Sequence, residues 1–518
     1  MHSLRRIPEF YMSSYWPPPA SPALYRPFAS TTLALQWAAG GGNPVVFRVT
    51  SYLLYVAVSL AVVLLARQLL PLPIAIAIGA LFAAHPVHVE SVALAVNQGE
   101  QWVGLLSLLA TLIYLNRRQR GWLSVRDWGG IGALYLAACL FKEHALIMPG
   151  FFLAAELTLL RQPERGLASE RVRRLWPGYA VLIMAGIGFM LIRSRILGDL
   201  AGTFTAEAMV GQTIVGRTLT MLQVVPRWLG LLLWPSHLQG DYSPSVINQA
   251  TTWGGAQTLG ALILLAVAIL LVVTWRRAPV VAFGILWTGG ALVPVANLLI
   301  PTGIVLAERT LFLPSIGFVL TCGGLTHLFL TGRSNSRRAA KLLAAGCTVL
   351  VFLGIWRSGV RHPDWQNQAY FWARSVENAP LSYRAHHAHA QILWSLGYEG
   401  ASVAAFHTAH ALYPRAYWIL NELGNRFRVK GECYPALDLY TESLRIEPDQ
   451  PAARASRVAC LVHLARYDDA IFESEEGMAR GIDVADFASY RATADSARRV
   501  GAPAGTVKLS APEAAVLR

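Results

Sequence analysis

Residues 257–275 read QTLGALILLAVAILLVVTW, without a single charge, and Arg276-Arg277 follow at once. A helix needs about 20 mostly apolar residues to cross a bilayer, so this stretch reads as a membrane span ending in a basic stop. Runs of the same kind fill the chain up to about Trp356: 47–66, 72–90, 100–116, 128–142, 143–160, 176–196, 279–298, 310–330 and 340–357. With 257–275 they make ten expected spans. Residues 217–234 are a further apolar stretch, but Arg217, Pro226 and Arg227 interrupt it. That pattern reads as an interfacial or re-entrant helix. Composition agrees. Of 518 residues, 54% are hydrophobic and 14% charged, against roughly 25% charged in a soluble domain. This excludes a disordered chain, a collagen and a small disulfide scaffold, and argues against a fully soluble enzyme.

The formal net charge is +14, which would suit nucleic acid, but position decides. Residues 358–518 hold 17 basic and 18 acidic residues. The excess therefore belongs to the membrane part, and nucleic-acid binding loses its support. Basic residues gather in short loops: Arg117, Arg118, Arg120 and Arg126; Arg161, Arg165, Arg171, Arg173 and Arg174; Arg276 and Arg277; Arg333, Arg337, Arg338 and Lys341. Arg and Lys favour cytoplasmic loops. All four loops fall on one side if the ten spans alternate and 217–234 does not cross. The N-terminus and the C-terminal region then lie on the outer side. Residues 1–30 lack the early apolar core of a cleavable signal peptide. Cys433 and Cys460 share the outer region, and spacing alone does not show whether they pair.

That region repeats. Pro380, Pro414 and Pro448 stand 34 residues apart, as do Gly397 and Gly431. A 34-residue period resembles the tetratricopeptide (TPR) unit, two helices that bury their apolar faces only by stacking. The middle unit carries Leu423, Gly424, Phe427, Ala436 and Tyr440; the unit before it carries Phe406 and Ala409; the one after it has Ala470. The expected fold is all-α: a multi-span membrane domain followed by a TPR α-solenoid. The segments are an outer loop over 1–46, a membrane domain over 47–357, repeats over 358–485 and a loose tail over 486–518. A solenoid offers a concave surface to an extended peptide or partner protein. The plainer alternative is a spacer or an internal brace.

Six polar clusters map to the outer face: Tyr25-Arg26-Pro27; His85-Pro86-Val87-His88-Val89-Glu90-Ser91; Asn97-Gln98-Gly99-Glu100; Lys142-Glu143-His144; Asp241-Tyr242-Ser243-Pro244; and Glu308-Arg309. Charges at span ends are costly and often functional. Each cluster also has a structural reading. His85-Pro86 could begin a helix, Lys142-Glu143 could turn a tight helical hairpin, and Glu308-Arg309 could be a local ion pair. His85, His88 and Glu90 could hold a divalent metal, though the spacing matches no strong signature. No Walker loop, dinucleotide fingerprint or nucleophile elbow occurs in a fitting context.

The ordered set LYRPF, FAAHPVHVESVA, FKEHALIMP, LLLWPSHLQGDYSP and LVPVANLLIPTGIVLAERTLFLPSIGF, then the repeats, resembles the transmembrane-and-TPR O-mannosyltransferase family. These are multi-span enzymes of the GT-C superfold. The resemblance implies transfer of a sugar, typically mannose, from a polyprenyl-phosphate carrier to Ser or Thr of a protein on the outer or luminal side. Such chemistry needs a carboxylate to activate the acceptor hydroxyl and cations to stabilise the leaving phosphate. Arg309 is the expected phosphate ligand, because a guanidinium engages two oxygens at once. Lys142 and Arg26 come next. Glu90, with His85 and His88, and Glu143 form the expected acid–base set. Glu308, Asp241, Tyr242 and Glu100 are expected to support them.

One departure stands out. The family carries an acidic pair in the first outer loop, after a first span. Here residues 1–89 contain no Asp, and Glu9 is the only acid. The favoured expectation places that span and pair upstream of Met1. The alternatives are a pseudo-enzyme that acts as a membrane-anchored TPR scaffold and, with less in its favour, a transporter. The arginine- and alanine-rich composition leans towards a bacterial inner membrane with a periplasmic solenoid. The endoplasmic reticulum membrane, with a luminal solenoid, is the eukaryotic equivalent.

Overall fold

A computed structural model describes residues 3–16, 24–160, 168–198, 205–331 and 336–509. Every regular element among them is helical. The chain divides into two compact units, Met1–Ser243 with Ile247–Phe371, and Pro244–Val246 with Trp372–Arg518. The division thus falls beyond the expected boundary at 357. The last long helix of the first unit continues to Arg361, and a turn over His362–Trp365 then tucks Asp364 and Trp365 into that unit.

The longer helices of the first unit are α1 (Pro27–Gly40), α2 (Pro44–Leu69), α3 (Leu72–Ala84), α4 (Gln98–Arg120), α5 (Val125–Phe141), α6 (Met148–Leu157), α7 (Ala168–Leu197), α8 (Ile214–Leu222), α9 (Val225–Leu233), α10 (Gly255–Arg277), α11 (Pro279–Leu292), α12 (Phe312–Thr331) and α13 (Ser336–Arg361). Local chemistry sets their ends. Asn43 caps α2 by accepting from the Val45 N–H, and Pro44 occupies the first turn, where its missing N–H costs nothing. Ser124 and Asp127 form a reciprocal capping box at the start of α5. His85 stops α3, because a residue before proline is pushed out of helical geometry. The chain resumes over Pro86–Ala93 at 47° to α3.

Among the described residues, five segments are long and apolar enough to cross a membrane: Pro44–Leu69, Glu170–Leu197, Gly255–Arg277, Glu308–Thr331 and Arg337–Trp365. The bent pair Leu72–Ala84 and Pro86–Ala93 makes a sixth if counted as one span. This makes the chain an integral membrane protein, with fewer full-length spans than the ten expected. The remaining expected spans are helical but fall short. α5, α6 and α11 have 17, 10 and 14 residues, against about 20 for a crossing, and the 23 residues of α4 open on the polar run Gln98, Glu100 and Gln101. Residues 217–234 form two short helices, α8 and α9, broken at Gln223-Val224.

Two features fix the packing of this unit. At Gly284 of α11 and Gly317 of α12 the backbones touch. A Cβ on Gly317 would stand 2.5 Å from the Gly284 carbonyl oxygen, and one on Gly284 would stand 2.6 Å from that of Gly317. Far from the six clusters, Glu156 of α6 is buried and accepts from Arg118 Nε at 2.6 Å, Arg118 Nη2 at 3.1 Å and the Tyr114 hydroxyl at 2.9 Å.

The second unit contains α15 (Tyr383–Ser395), α16 (Glu399–Leu412), α17 (Tyr417–Val429), α18 (Cys433–Ile446), α19 (Pro451–His463), α20 (Tyr467–Ala479) and α21 (Val484–Arg499); the preceding α14 (Gln368–Asn378) leads into it. The starts of α15, α17 and α19 (383, 417, 451) are 34 residues apart, and so are those of α16, α18 and α20 (399, 433, 467). This is a helical solenoid in the expected register. Phe406, Ala409, Leu423, Ala436, Tyr440 and Ala470 are all buried. Cys433 and Cys460 are buried free thiols. Glu422 accepts from His387 at 2.8 Å, Gln391 at 2.9 Å and Arg426 at 2.6 Å. Burial pushes its carboxyl up, but these donors outweigh burial and hold it below the usual range.

The loose tail expected over 486–518 is corrected in part. α21 buries Phe487, Tyr490, Ala494 and Ala497 against the preceding helices. The end of that expected tail, 510–518, lies outside the described residues.

Gly424 shows how tightly the repeats fit. A Cβ there would meet the Tyr440 ring at 2.9 Å. Gly424→Ala should destabilise the protein by about 1–3 kcal/mol through overpacking. Denaturant unfolding followed by circular dichroism measures this, and an unchanged midpoint would contradict the contact.

Candidate functional site

The first unit brings most of the charges of the six polar clusters into linked ion pairs. Arg26 precedes α1, whose first residue is Pro27. Its Nη2 and Nε donate to Glu143 Oε1 and Oε2 at 2.7 and 3.1 Å, a two-pronged pair across 117 positions of sequence. Burial works against the Arg26 charge, and Glu143 more than restores it. Lys142 follows α5, where the chain turns extended before the Glu143–Ile147 turn. Its ammonium donates to Glu100, at the start of α4, and His144 Nε2 stands 3.4 Å from the other oxygen of Glu100. Arg309 lies in the Glu308–Leu311 turn that leads into α12. Glu90 binds both its guanidinium and its backbone N–H, the latter at 2.8 Å. Arg26, Lys142 and Arg309 also sense one another's charge, and Glu100 attracts all three. The arrangement is a three-cation cluster with each member held by a glutamate. It is suited to receiving an anion with several oxygens.

Glu308 sits beside this cluster in a second network. Its Oε1 accepts from the Gln239 N–H at 2.5 Å and from the Tyr242 hydroxyl at 3.3 Å, and Arg361 Nη2 is 3.8 Å away. Burial, together with the neighbouring Glu308 carboxylate, pushes the Tyr242 hydroxyl well above the usual phenol range, so it stays a donor. Asp241 accepts from the Ser243 N–H at 2.8 Å and shapes the turn that presents Tyr242. Arg361 donates to Asp364 at 2.7 Å, and its side chain is only 2% exposed.

The histidines are placed differently from the expectation. His88 is buried, with Nδ1 2.8 Å from the Tyr55 hydroxyl and Nε2 2.9 Å from the Ser315 hydroxyl, beside the Phe82 and Phe312 rings. Both ring nitrogens are occupied, so His88 braces the packing and is not placed as an acid or base. His85 Nδ1 accepts from the Val87 N–H at 3.3 Å, and Nε2 lies 3.0 Å from the Leu232 carbonyl. With Glu90 turned to Arg309, the trio His85, His88 and Glu90 does not converge as metal ligands. Among the described residues no group of three His, Cys, Asp or Glu does so. Glu90 itself is a clamp on Arg309 rather than a free carboxylate.

Sequence reasoning missed Arg361 and Asp364, and it missed Tyr55 and Ser315 around His88. An arginine at the end of an apolar helix looks like any stop signal. Only its burial sets Arg361 apart.

An open apolar groove of about 380 Å³ lies on the same unit, lined by Tyr135, Leu146, Ile183, Gly186, Ile187, Met190 and Leu191. Leu146 belongs to the Glu143–Ile147 turn, and Tyr25 packs on Phe189 of α7 at 6.2 Å between ring centroids. The groove therefore adjoins the segments that carry Arg26 and Glu143.

Fold and site together define a polytopic helical membrane protein with a cation cluster and a repeat domain. No protein-family model matches the chain. Its sequence relatives are proteins named for sugar transfer. It is 25% identical over 470 residues to Protein O-mannosyl-transferase Tmtc1 of Drosophila melanogaster, covering 73% of this chain and 53% of that protein. It is 25% identical over 451 residues to human Protein O-mannosyl-transferase TMTC1, covering 79% and 50%. Against human Protein O-mannosyl-transferase TMTC2 the figures are 23% over 430 residues, 69% and 51%. The chain spans about half the length of the curated relatives it matches. The resemblance seen in its motifs holds: its relatives are O-mannosyltransferases by name.

Proposed function

We propose that the chain is a membrane glycosyltransferase that moves a sugar, mannose first among candidates, from a polyprenyl-phosphate carrier to a Ser or Thr hydroxyl. The acceptor is a protein on the outer face, and the working location is a bacterial inner membrane with a periplasmic solenoid. The observation that carries this reading is the cluster of Arg26, Lys142 and Arg309. The bond from the sugar's anomeric carbon to the phosphate oxygen breaks, and the phosphate leaves with the bonding electrons. Cations positioned on that oxygen lower the barrier. Arg309 takes the phosphate, with Lys142 and Arg26 beside it, and Glu90 fixes the direction of the Arg309 guanidinium. A carboxylate accepts the proton of the acceptor hydroxyl. Glu143 is the most open of the four paired glutamates, its side chain 33% exposed, and is the candidate in this chain. Glu100 holds Lys142, while Glu308, Asp241 and Tyr242 brace the neighbouring network beside the cluster. The open apolar groove beside Tyr135 and Gly186 suits the carrier's hydrocarbon tail. The solenoid, read as TPR repeats, supplies a surface for the acceptor peptide.

One observation favours a second reading. Glu90, Glu100, Glu143 and Glu308 are all engaged by cations or hydrogen-bond donors, which suits a non-catalytic TPR scaffold. The test is sugar transfer by the full chain in proteoliposomes, from radiolabelled polyprenyl-phosphate mannose to a Ser/Thr-rich peptide. Labelled peptide supports the transferase. A chain that binds polyprenyl phosphate but labels nothing supports the scaffold.

A further inference from the structure

The arginine-rich ends of α4, α5 and α7 meet around Trp122. The Arg118 guanidinium lies 4.4 Å from the Trp122 ring centroid and that of Arg174 lies 5.1 Å from it. The described residues here include seven arginines (117, 118, 120, 126, 171, 173 and 174) and three acids, Asp127, Glu156 and Glu170. The acids are all spoken for. Asp127 pairs with Arg117 at 3.0 Å, Glu156 with Arg118 at 2.6 Å and Arg171 at 3.6 Å, and Glu170 with Arg174 at 2.9 Å. Seven cations less three anions leave an excess of four charges. Arg120, Arg126 and Arg173 are exposed and have no carboxylate partner among the described residues. Trp176 is 60% exposed and lies three positions after Arg173, on the same helix face. Both sit at the start of the apolar segment Glu170–Leu197. An indole at a span end belongs at headgroup depth, so these arginines are held where lipid phosphates lie.

We propose that this end of the membrane unit is a binding surface for acidic phospholipid headgroups. Arg120, Arg126 and Arg173 are its phosphate ligands, and the buried Arg118–Glu156 pair with the Trp122 stack is the frame. The proposal is independent of sugar transfer. An ordinary stop signal needs only net positive charge. Here the paired arginines build a rigid support, and the three without carboxylate partners are left on its surface. Each basic residue near an anionic lipid surface adds roughly fivefold in affinity, so three add roughly a hundredfold.

The test titrates fluorescent phosphatidylglycerol into the full chain in neutral detergent micelles, where insertion orientation has no bearing. Wild type should bind it roughly a hundredfold more tightly than the triple variant Arg120→Ala/Arg126→Ala/Arg173→Ala. The corresponding triple Lys variant should keep most of the affinity, and phosphatidylcholine should not compete. The triple Ala variant should melt with wild type in the absence of lipid, since none of the three side chains is buried. Equal binding of phosphatidylglycerol and phosphatidylcholine, or a triple Ala variant with wild-type affinity, overturns the proposal and leaves the arginines as orientation signals only. Full competition by millimolar inorganic phosphate would also overturn it, by making the ligand a free anion.

Discussion

Arg309→Ala is expected to slow sugar transfer by about 10²–10³-fold, the cost of removing one pre-positioned charge from a transition-state oxygen. The substitution removes the guanidinium that faces the cluster. It keeps the backbone N–H at position 309, which donates to Glu90 at 2.8 Å. Glu90 therefore retains one donor, and the turn into α12 retains one anchor. Some stability should still be lost, because a buried carboxylate loses its cation. The double variant Glu90→Gln/Arg309→Ala removes that orphan charge. It should recover stability while transfer stays lost, which separates chemistry from folding. Arg309→Lys should be intermediate, since an ammonium keeps the charge but cannot fork onto two oxygens. Initial rates in proteoliposomes and melting temperatures in detergent give the two readouts. An Arg309→Ala protein with the wild-type rate would end the assignment of this residue.

Arg361→Met should cost about 3–5 kcal/mol of stability, the usual penalty for removing one member of a buried charge network. Arg361 faces Asp364 at 2.7 Å and Glu308 at 3.8 Å. Methionine fills most of the volume but leaves Asp364 without its cation. Glu308 stands farther from Arg361 and keeps the Gln239 N–H and the Tyr242 hydroxyl, so adding Asp364→Asn, rather than Glu308→Gln, should restore part of the loss. Thermal unfolding in detergent measures both variants. A drop of under about 1 kcal/mol would mean that water, not Arg361, satisfies these acids.

Much of the fold was legible because it is periodic. Apolar runs mark the spans, and the 34-residue spacing of Pro380, Pro414 and Pro448 anticipates the helix starts at 383, 417 and 451. The polar motifs were legible as a set, since Arg26, Glu143, Glu100, Lys142, Glu90 and Arg309 do assemble. Their partnerships were not. Arg309 meets Glu90 across 219 positions, and Arg118 meets Glu156 across 38. No local spacing encodes such pairs. His88 misled because a histidine near a glutamate reads as chemistry, whereas the Tyr55 and Ser315 hydroxyls that occupy it come from distant helices. The α21 helix was readable and was passed over. Phe487, Tyr490, Ala494 and Ala497 recur at helical spacing, but the Ala-, Pro- and Gly-rich composition of the residues that follow them reads as a tail.

The glycine contact between α11 and α12 has a mechanical consequence. Two helices whose main chains touch at Gly284 and Gly317 cannot roll or slide past each other without collision, so they act as one stave. Any seam that parts to admit a bulky amphiphile must run elsewhere. The contact between α5 and α7 is of another kind. It is made by side chains such as Trp128 and Tyr179, whose rings stand 5.8 Å apart, and it borders the groove beside Tyr135 and Gly186. Even so, Trp128 seats on the bare backbone at Gly178, where a Cβ would stand 2.0 Å from its ring, so any opening here would have to swing that indole away.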